Sequence, residues 1–460
     1  MAESKTTDLT AIIQHQKLTS FIVGLVAISA LVTFFDGFDM NVISLVAPEM
    51  SASLHLNKLM MGNVFSAGLA GTLVGGFIFG YLGDRIGRRP SIILATISFG
   101  ILTLGLAFAS GYHQLVAIRF IQGIGTGGLL PLCWALNIDY VPRGYQATVV
   151  TVLMLGYTFG DSFAGPLSIW FTRFGWRSVF VFGGCAALLV AVLLFARLPE
   201  SIKFLANKNR NPDLIAKFAS RLAPGRAIVA SDHFIIADEV GRGAKAFRVP
   251  ELFRNGLRWI TPLLWMAYIA SSVAVFLRVS WGPTILQAIG YSRPAAAYAT
   301  SVASLGGALG GLLLMRFTDT RGAISIAAYP VFSVPLLLIM GLGKIGGFPF
   351  LGLYFLMTMF LVGAHFGLHS IAGIFYPSAY RSNGAGWATS IAKIGSIIGP
   401  IVGGAILSTH LPVRLLFALL AVCPFVVGVA ILILGLLQRR YGPASIAASA
   451  KAGLAVVADS

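Results

Sequence analysis

Two carboxylates three residues apart, Asp36 and Asp39, lie in the stretch Phe34-Phe35-Asp36-Gly37-Phe38-Asp39, inside a run otherwise apolar from Phe21 to Val46. An acid at bilayer depth costs about 2.5 to 3.5 kcal/mol on insertion scales, so it signals a function by default. Their spacing sets both on one helical face. Mutual repulsion and lost hydration favour a proton on at least one of them, which is the chemistry of a group that takes up and releases protons inside a membrane. Arg119 stands at the same depth in the outer half of another apolar run and is expected to modulate that protonation. Lys393 lies about ten residues into a later run, too deep to snorkel easily to a membrane surface and with no acid beside it in its own helix. Its partner is then an anionic ligand or an acid on another helix, Asp36 or Asp161.

The composition says what must hold these residues. With 57% hydrophobic and 11% charged residues and a mean hydropathy of +0.85, against about 25% charged in an average chain, this is a polytopic membrane protein in contact with a lipid bilayer. The net charge of +17 does not mark a nucleic-acid binder, because the basic residues are strung through the connections between apolar runs. Cys133, Cys185 and Cys423 all fall in apolar runs and offer no disulfide framework. No nucleophile elbow, zinc spacing or nucleotide loop occurs, which argues against an enzyme and against any cofactor beyond a coupling proton. His365 and His369 have the i, i+4 spacing of a metal pair, but no acid follows at the right distance and no metal site is expected.

Twelve apolar runs are long enough to span a bilayer as helices, at about 21–45, 59–82, 91–109, 114–136, 147–170, 176–197, 257–281, 293–316, 323–343, 348–371, 384–408 and 413–437. With the N-terminus inside, 22 of the 33 Lys and Arg residues fall in cytoplasmic segments and six in outside loops, as the positive-inside rule requires. Both termini are therefore expected in the cytoplasm. The chain divides into an N-terminal six-helix half (1–197), a cytoplasmic linker (198–256), a C-terminal six-helix half (257–437) and a cytoplasmic tail (438–460). Within the linker, Leu214, Ile215, Phe218 and Leu222 have helical spacing, so Pro212 to Leu222 reads as an amphipathic helix on the membrane face, a scaffold for the two halves. The halves are related. Gly80-Tyr-Leu-Gly83-Asp84-Arg85-Ile-Gly87-Arg88-Arg89 has a looser counterpart in Arg316-Phe-Thr-Asp319-Thr-Arg321, and Gly165-Pro166 has one in Gly399-Pro400. Such repeats fit a transporter with its site near the midplane between two halves.

Gly80 to Arg89 resembles the loop signature of the major facilitator superfamily, Arg119-Phe-Ile-Gln122-Gly123-Ile-Gly125 its fourth-helix signature, and Pro199-Glu200-Ser201 the end of its sixth helix. Within it, the DGFD motif followed by Ala47-Pro48, together with Trp281-Gly-Pro283 and Gly386-Trp387-Ala through Lys393-Ile-Gly395, looks like the aromatic acid:proton symporters. The resemblance implies an all-α membrane protein with the major-facilitator fold of two six-helix halves with inverted repeats. It also implies inward carriage of benzoates, hydroxybenzoates or phenylpropionates with protons. By position, Asp36, Asp39, Arg119 and Asp139 would be the proton-coupling residues. Gly80, Gly83, Asp84, Arg85, Gly87, Arg88 and Arg89 would form a gating clamp between helix ends. Three departures stand out. The family usually has Glu at Asp139 and Arg at Lys393, and its fifth helix is usually apolar where this chain has Asp161.

A carboxylate ligand would meet Lys393, with Asp161 also in the substrate site and the ligand's ring against some of Phe35, Phe38, Trp134, Tyr157, Trp265, Tyr268 and Trp387, while His365 is placed to touch a ring hydroxyl. Apolar burial at about 25 cal/mol per Å² and ring contacts of about 0.5 to 1.5 kcal/mol each supply the affinity. The same machinery would equally carry a non-aromatic organic anion or a sugar acid. Short outside loops without disulfides suit a bacterial inner membrane, and a monomer is expected.

Overall fold

The structure is a computed structural model describing residues 6–437, apart from 17–18, 209, 224–227, 237–248, 255–256, 322–323 and 377–380. The expected tail at 438–460 and the side chains of Asp319 and Arg321 lie outside the described residues. All twelve apolar runs are helices: the first to sixth spans are Ser20–Ser53, Lys58–Ile86, Arg88–Ala107, Tyr112–Ile138, Arg143–Phe174 and Arg177–Arg197. The seventh to twelfth are Leu257–Ala288, Arg293–Leu314, Ser325–Leu342, Gly347–His369, Asn383–Leu407 and Leu415–Leu437. A helix satisfies its own backbone, which is the requirement in lipid. Two spans are interrupted. The fourth breaks at Gly128 into Tyr112–Gly127 and Leu129–Ile138, where a side chain in place of Gly128 would collide with Phe79. The twelfth breaks at Ala421, just after Leu415–Leu420.

Within each half, glycines let backbones approach closely, the usual device where lipid offers no hydrophobic drive for helices to associate. In the N-terminal half the first span packs on the fifth with Gly37 against the Tyr157 carbonyl, and the second on the fourth with Gly71 against the Phe120 carbonyl. The equivalent pairs recur in the other half, with Gly395 of the eleventh span against the Ile269 carbonyl and Gly310 of the eighth against Met359. The repeat read from sequence is thus a repeat of helix pairing.

The halves meet through the second and eleventh spans and through the fifth and eighth. Gly62 abuts the Pro400 carbonyl, and Gly165 abuts Ala297 and Ser301, so the two Gly-Pro repeats stand at the two equivalent contacts. Pro400 removes one helix hydrogen bond, and the nearby Ile397 carbonyl accepts from Ser66 across the interface at 2.6 Å. Arg293 pairs with Glu49, and Phe65 sits edge-on to Trp281 at 5.3 Å. All these contacts lie toward the face opposite the N-terminus, called the far face below. There a single apolar core runs through both halves. Toward the terminal face the core divides, one cluster belonging to the N-terminal half and its linker, the other to the C-terminal half. Among the described residues the halves share a core at the far face and keep separate cores toward the termini.

On the terminal face the structure departs from an all-helical reading. Thr6–Asp8 and His233–Ile235 form a small parallel sheet, with Thr7 donating to Asp232 at 3.1 Å. Helix Pro212–Leu222 exists as expected, but its apolar side is spent on protein: Phe218 stacks on Phe21 at 6.2 Å and meets Tyr140 edge-on. Ile215, Phe218, Ala219 and Leu222 all join the N-terminal half's cluster. Among the described residues the helix props up one half instead of bridging two.

Gly37 stands between the two acids, and its contact with the fifth span tests this packing. Gly37→Ala should overpack the pair, lower stability by about 1 to 3 kcal/mol and impair transport. Gly24→Ala in the same helix, with open space around it, should change stability by less than about 0.5 kcal/mol. Thermal unfolding of the two purified variants in detergent measures both.

Candidate functional site

The first span delivers its two acids to different partners. Asp39 is 3% exposed and forms an ion pair with Arg119 of the fourth span at 2.9 Å. Gln122, one helical turn on, accepts from Arg119 at 2.7 Å and donates to the other Asp39 oxygen at 3.0 Å and to Thr103 of the third span at 2.6 Å. Both carboxylate oxygens are therefore satisfied and three spans are tied together. Gly68 makes room for this, since a Cβ there would lie 3.0 Å from the guanidinium. Among the described residues Arg119 Nε has no partner, beside a narrow pocket lined by Met40, Gly68, Thr72 and Thr126.

Asp36 is as buried as Asp39 but has no ion pair among the described residues. Its charge is felt by Lys393 of the eleventh span, across the interface, and by Tyr157 and Cys133 on its own side. Lys393 is half-buried and also faces His365 and His369. Ser271 meets His365 Nδ1 at 3.0 Å, and the two imidazoles lie edge to face at 5.0 Å. Among the described residues no cluster of metal-ligating side chains forms.

Asp161 completes a second cross-interface arrangement that sequence reasoning did not assemble. Asn41 donates to its backbone carbonyl at 2.8 Å, Ser304 faces its carboxylate, and the opposing charge is Arg278 of the seventh span, 5% exposed. Arg278 carries the signal that singled out Lys393, a cation deep in an apolar run, and that signal was available in the sequence. Gln122 was visible only as part of a motif.

The aromatic candidates divide. Phe38, expected as a ring contact, is 2% exposed and packed edge-on to Phe35 and Phe182 in the core of its half. Tyr268, likewise expected there, is wholly buried with its hydroxyl committed to the Leu368 carbonyl at 2.5 Å. Both are core residues. Tyr157 is half-buried near Asp36 and Asp161. Trp265 and Trp387 stack at 6.4 Å, with Phe253 edge-on to Trp265 at 5.2 Å. The Trp134 indole nitrogen is buried without a partner among the described residues, while that of Trp265 faces the Tyr376 hydroxyl.

Asp139 belongs elsewhere. It pairs with Arg88 and accepts from Ser201 at 2.5 Å, so it joins the terminal-face clamp and not the Asp39–Arg119 pair. In the same cluster one Glu200 oxygen accepts the backbone N–H groups of Arg88, Arg89 and Ser201 at 2.8 to 3.1 Å. Burial lifts the Glu200 carboxyl above the usual carboxylate range, against those hydrogen bonds. Gly87, with φ +114°, turns the chain beside Glu200, and a side chain in place of Gly83 would press on Leu132. Arg89 donates to the Phe195 carbonyl at 2.7 Å, and Arg85 to Tyr81 at 2.6 Å. Gly80 faces open space, and Asp84 is exposed with no partner among the described residues.

Paired helices in two related halves, with charges facing each other across the interface, invite comparison with known membrane proteins. The sequence profile of the Major Facilitator Superfamily matches residues 29–374. This chain belongs to that superfamily. It is 31% identical to the gallate transporter of Pseudomonas putida over 90% of this chain and 92% of that one. Two further relatives are the 4-hydroxybenzoate transporter PcaK of Acinetobacter baylyi (27% identical, 94% and 95% covered) and the 3-(3-hydroxy-phenyl)propionate transporter of Escherichia coli (28%, 90% and 94%). These relatives uphold the resemblance to the aromatic-acid branch of the superfamily. Among solved structures, a partially occluded inward-open form of the xylose transporter XylE from E. coli matches with a TM-score of 0.69, 16% identity, and 92% and 98% coverage. That likeness establishes the major-facilitator fold. The chain is a membrane transporter and not an enzyme.

The different settings of the two acids predict different costs of neutralising them. Asp39→Asn strands a buried guanidinium, for which the loss is about 3 to 5 kcal/mol, and should lower the thermal midpoint of the purified protein sharply. Asp36→Asn breaks no ion pair and should leave the midpoint near that of the unmodified protein. Equal midpoints for the two variants would contradict this assignment.

Proposed function

We propose that this protein imports a small aromatic carboxylate of the benzoate, hydroxybenzoate or phenylpropionate type with protons, by alternating access across a bacterial inner membrane. Both termini lie in the cytoplasm and the monomer is the working unit. The observation that carries the reading is the Lys393–Asp36 arrangement: a half-buried ammonium and a buried carboxylate on opposite halves, near the middle of their helices, without a direct ion pair. The relatives named for gallate, 4-hydroxybenzoate and hydroxyphenylpropionate support an arene acid as the anion. In that site the substrate carboxylate meets Lys393 when Asp36 holds a proton, and Asp36 takes Lys393 when the site is empty. Tyr157, Trp134 and the Trp265–Trp387 stack supply ring surface, and His365 or His369 a partner for a ring hydroxyl. With the basic connections inside, the parted terminal face is cytoplasmic and this conformation is inward-open. Arg88, Arg89, Asp139 and Glu200 stiffen the cytoplasmic ends of one half. Asp84 gains a partner across the interface only when that face closes.

Coupling is tested first. Asp36→Asn should abolish uphill uptake in proteoliposomes under an imposed pH gradient while keeping substrate exchange across the membrane. One proton with one monoanion moves no net charge, so a membrane potential, worth about 2.3 kcal/mol per charge per 100 mV, should not alter accumulation. Accumulation by Asp36→Asn at the unmodified level would remove Asp36 from the proton path, and a strong potential dependence would require at least two protons.

The anion is tested by competition with labelled uptake. Lys393→Gln should weaken acid binding tenfold or more, the loss of a charge-assisted hydrogen bond worth about 1.5 to 3 kcal/mol, and Lys393→Arg should retain more. Benzoate should compete better than cyclohexanecarboxylate by about 1 kcal/mol from ring contacts, and both should exceed acetate by more. Acetate or a sugar acid competing as well as benzoate would favour a general organic-anion symporter.

A further inference from the structure

Arg278 is a second buried cation at the interface, and the proton and substrate roles above leave it unused. It lies about 8 Å beyond the middle of helix Leu257–Ala288 toward the far face, whereas Lys393 stands near the middle of helix Arg381–Leu407. No carboxylate forms an ion pair with it among the described residues, and its Nε has no hydrogen-bond partner. One turn further along the helix is Gly282, and the hydroxyl of Tyr354, from the tenth span, sits at 2.5 Å from where a Cβ on Gly282 would be. That hydroxyl is wholly buried and faces the guanidinium as its one hydrogen-bonding neighbour among the described residues. Thr358, one turn from Tyr354, is buried, and its hydroxyl has no partner among the described residues. Buried polar groups in native proteins are rarely left unmatched, and a guanidinium without an ion pair in an apolar setting least of all.

Arg278, Gly282 and Tyr354 all belong to the C-terminal half and travel together when the halves move. Asp161, whose charge Arg278 feels, belongs to the other half, so its distance to Arg278 changes with the conformation. We propose that Arg278 and the Tyr354 hydroxyl form the outward-facing receptor for the carboxylate of the incoming substrate, and that Asp161 displaces it as the far face closes. A guanidinium suits this because its planar fork accepts both oxygens of a carboxylate, and the phenol adds a neutral donor. Opening at the far face draws Asp161 away and leaves the cation to the solution. Closing returns Asp161, and the displaced anion has Lys393 as the next cation toward the cytoplasm. Asp161 is then a competitor for Arg278 and not a ligand of the substrate.

The inference rests on the transport reading above, and uptake of labelled benzoate into proteoliposomes, with half-saturation measured separately from each side, tests it. Arg278→Gln should raise the outer-side value at least tenfold and leave the inner-side value within twofold. Tyr354→Phe should raise the outer value about threefold. Asp161→Asn should lower the outer value and slow turnover, because nothing then expels the anion. A purely structural role would shift both sides alike, and that result, or an unchanged outer value, overturns the proposal. A second measurement covers misfolding and an unsuitable substrate. In a background with Cys133, Cys185 and Cys423 changed to Ser, Arg278→Cys should react with a membrane-impermeant thiosulfonate from the outer side only. Reaction from the inner side, or from neither, overturns the proposal. Absence of any arene-acid uptake by the unmodified protein would instead sink the aromatic-acid reading, with the labelling result still deciding whether position 278 opens outward.

Discussion

A guanidinium inside a bilayer must be matched by an acid, and the N-terminal half is arranged around one such match. Arg119 and Asp39 come from spans adjacent to neither chain neighbour, yet Gln122 closes the pair into a network reaching Thr103 on a third span. The cost of opening such a pair, about 3 to 5 kcal/mol, holds these spans as a unit. The glycines are consequences of the same constraint. Gly68 leaves the room that the guanidinium occupies, and Gly71 and Gly123 bring the second and fourth spans close enough for the side chain to reach across.

Between the halves the rule is deliberately incomplete. Lys393 and Asp36 feel one another without pairing, as do Arg278 and Asp161. A closed network there would lock one conformation, whereas charges held short of contact leave the balance to a ligand or a proton. The apolar packing agrees. Backbone-to-backbone glycine contacts run inside each half, while the far-face seal combines the Gly62 and Gly165 contacts with the Phe65–Trp281 ring contact, the Arg293–Glu49 pair and a shared apolar core. The absence of a continuous cross-interface charge network among the described residues suits rigid-body rocking of one repeat against the other.

Sequence made the fold legible because each span is a local property: about twenty apolar residues, loop charge and a repeat are all read along the chain. The site is not local. Asp36 and Lys393 are 357 positions apart in the numbering, yet depth alone marked each of them, since a charge in an apolar run is costly wherever its partner lies. Depth does not say which charge meets which. Asp139 is legible as the acid that ends the helix of Arg119, but that Arg88 and Ser201 arrive there from other connections to claim it is not. Phe38 and Tyr268 lie beside the right residues in sequence, and their rings turn into the core. A helix period gives a face, but whether that face meets lipid, core or interface depends on the neighbouring helix.

On the proposed reading, the same electrostatics explain how a proton and an anion are kept together. Lys393 contributes one positive charge to the interface, and only two arrangements neutralise it: Asp36 ionised with no substrate, or Asp36 protonated with a substrate carboxylate. An anion without its proton leaves an unmatched negative charge, and a proton without its anion leaves Lys393 alone. Either must be dehydrated when both faces close around the site, and the penalty for an unpaired ion after relaxation is still several kcal/mol. Each 1.4 kcal/mol is tenfold in population, so the two mixed states are rare in the occluded form and slip is suppressed. Coupling needs no moving relay, only a cation that cannot cross unmatched and two anions, one of them carried by the protein, that compete to match it.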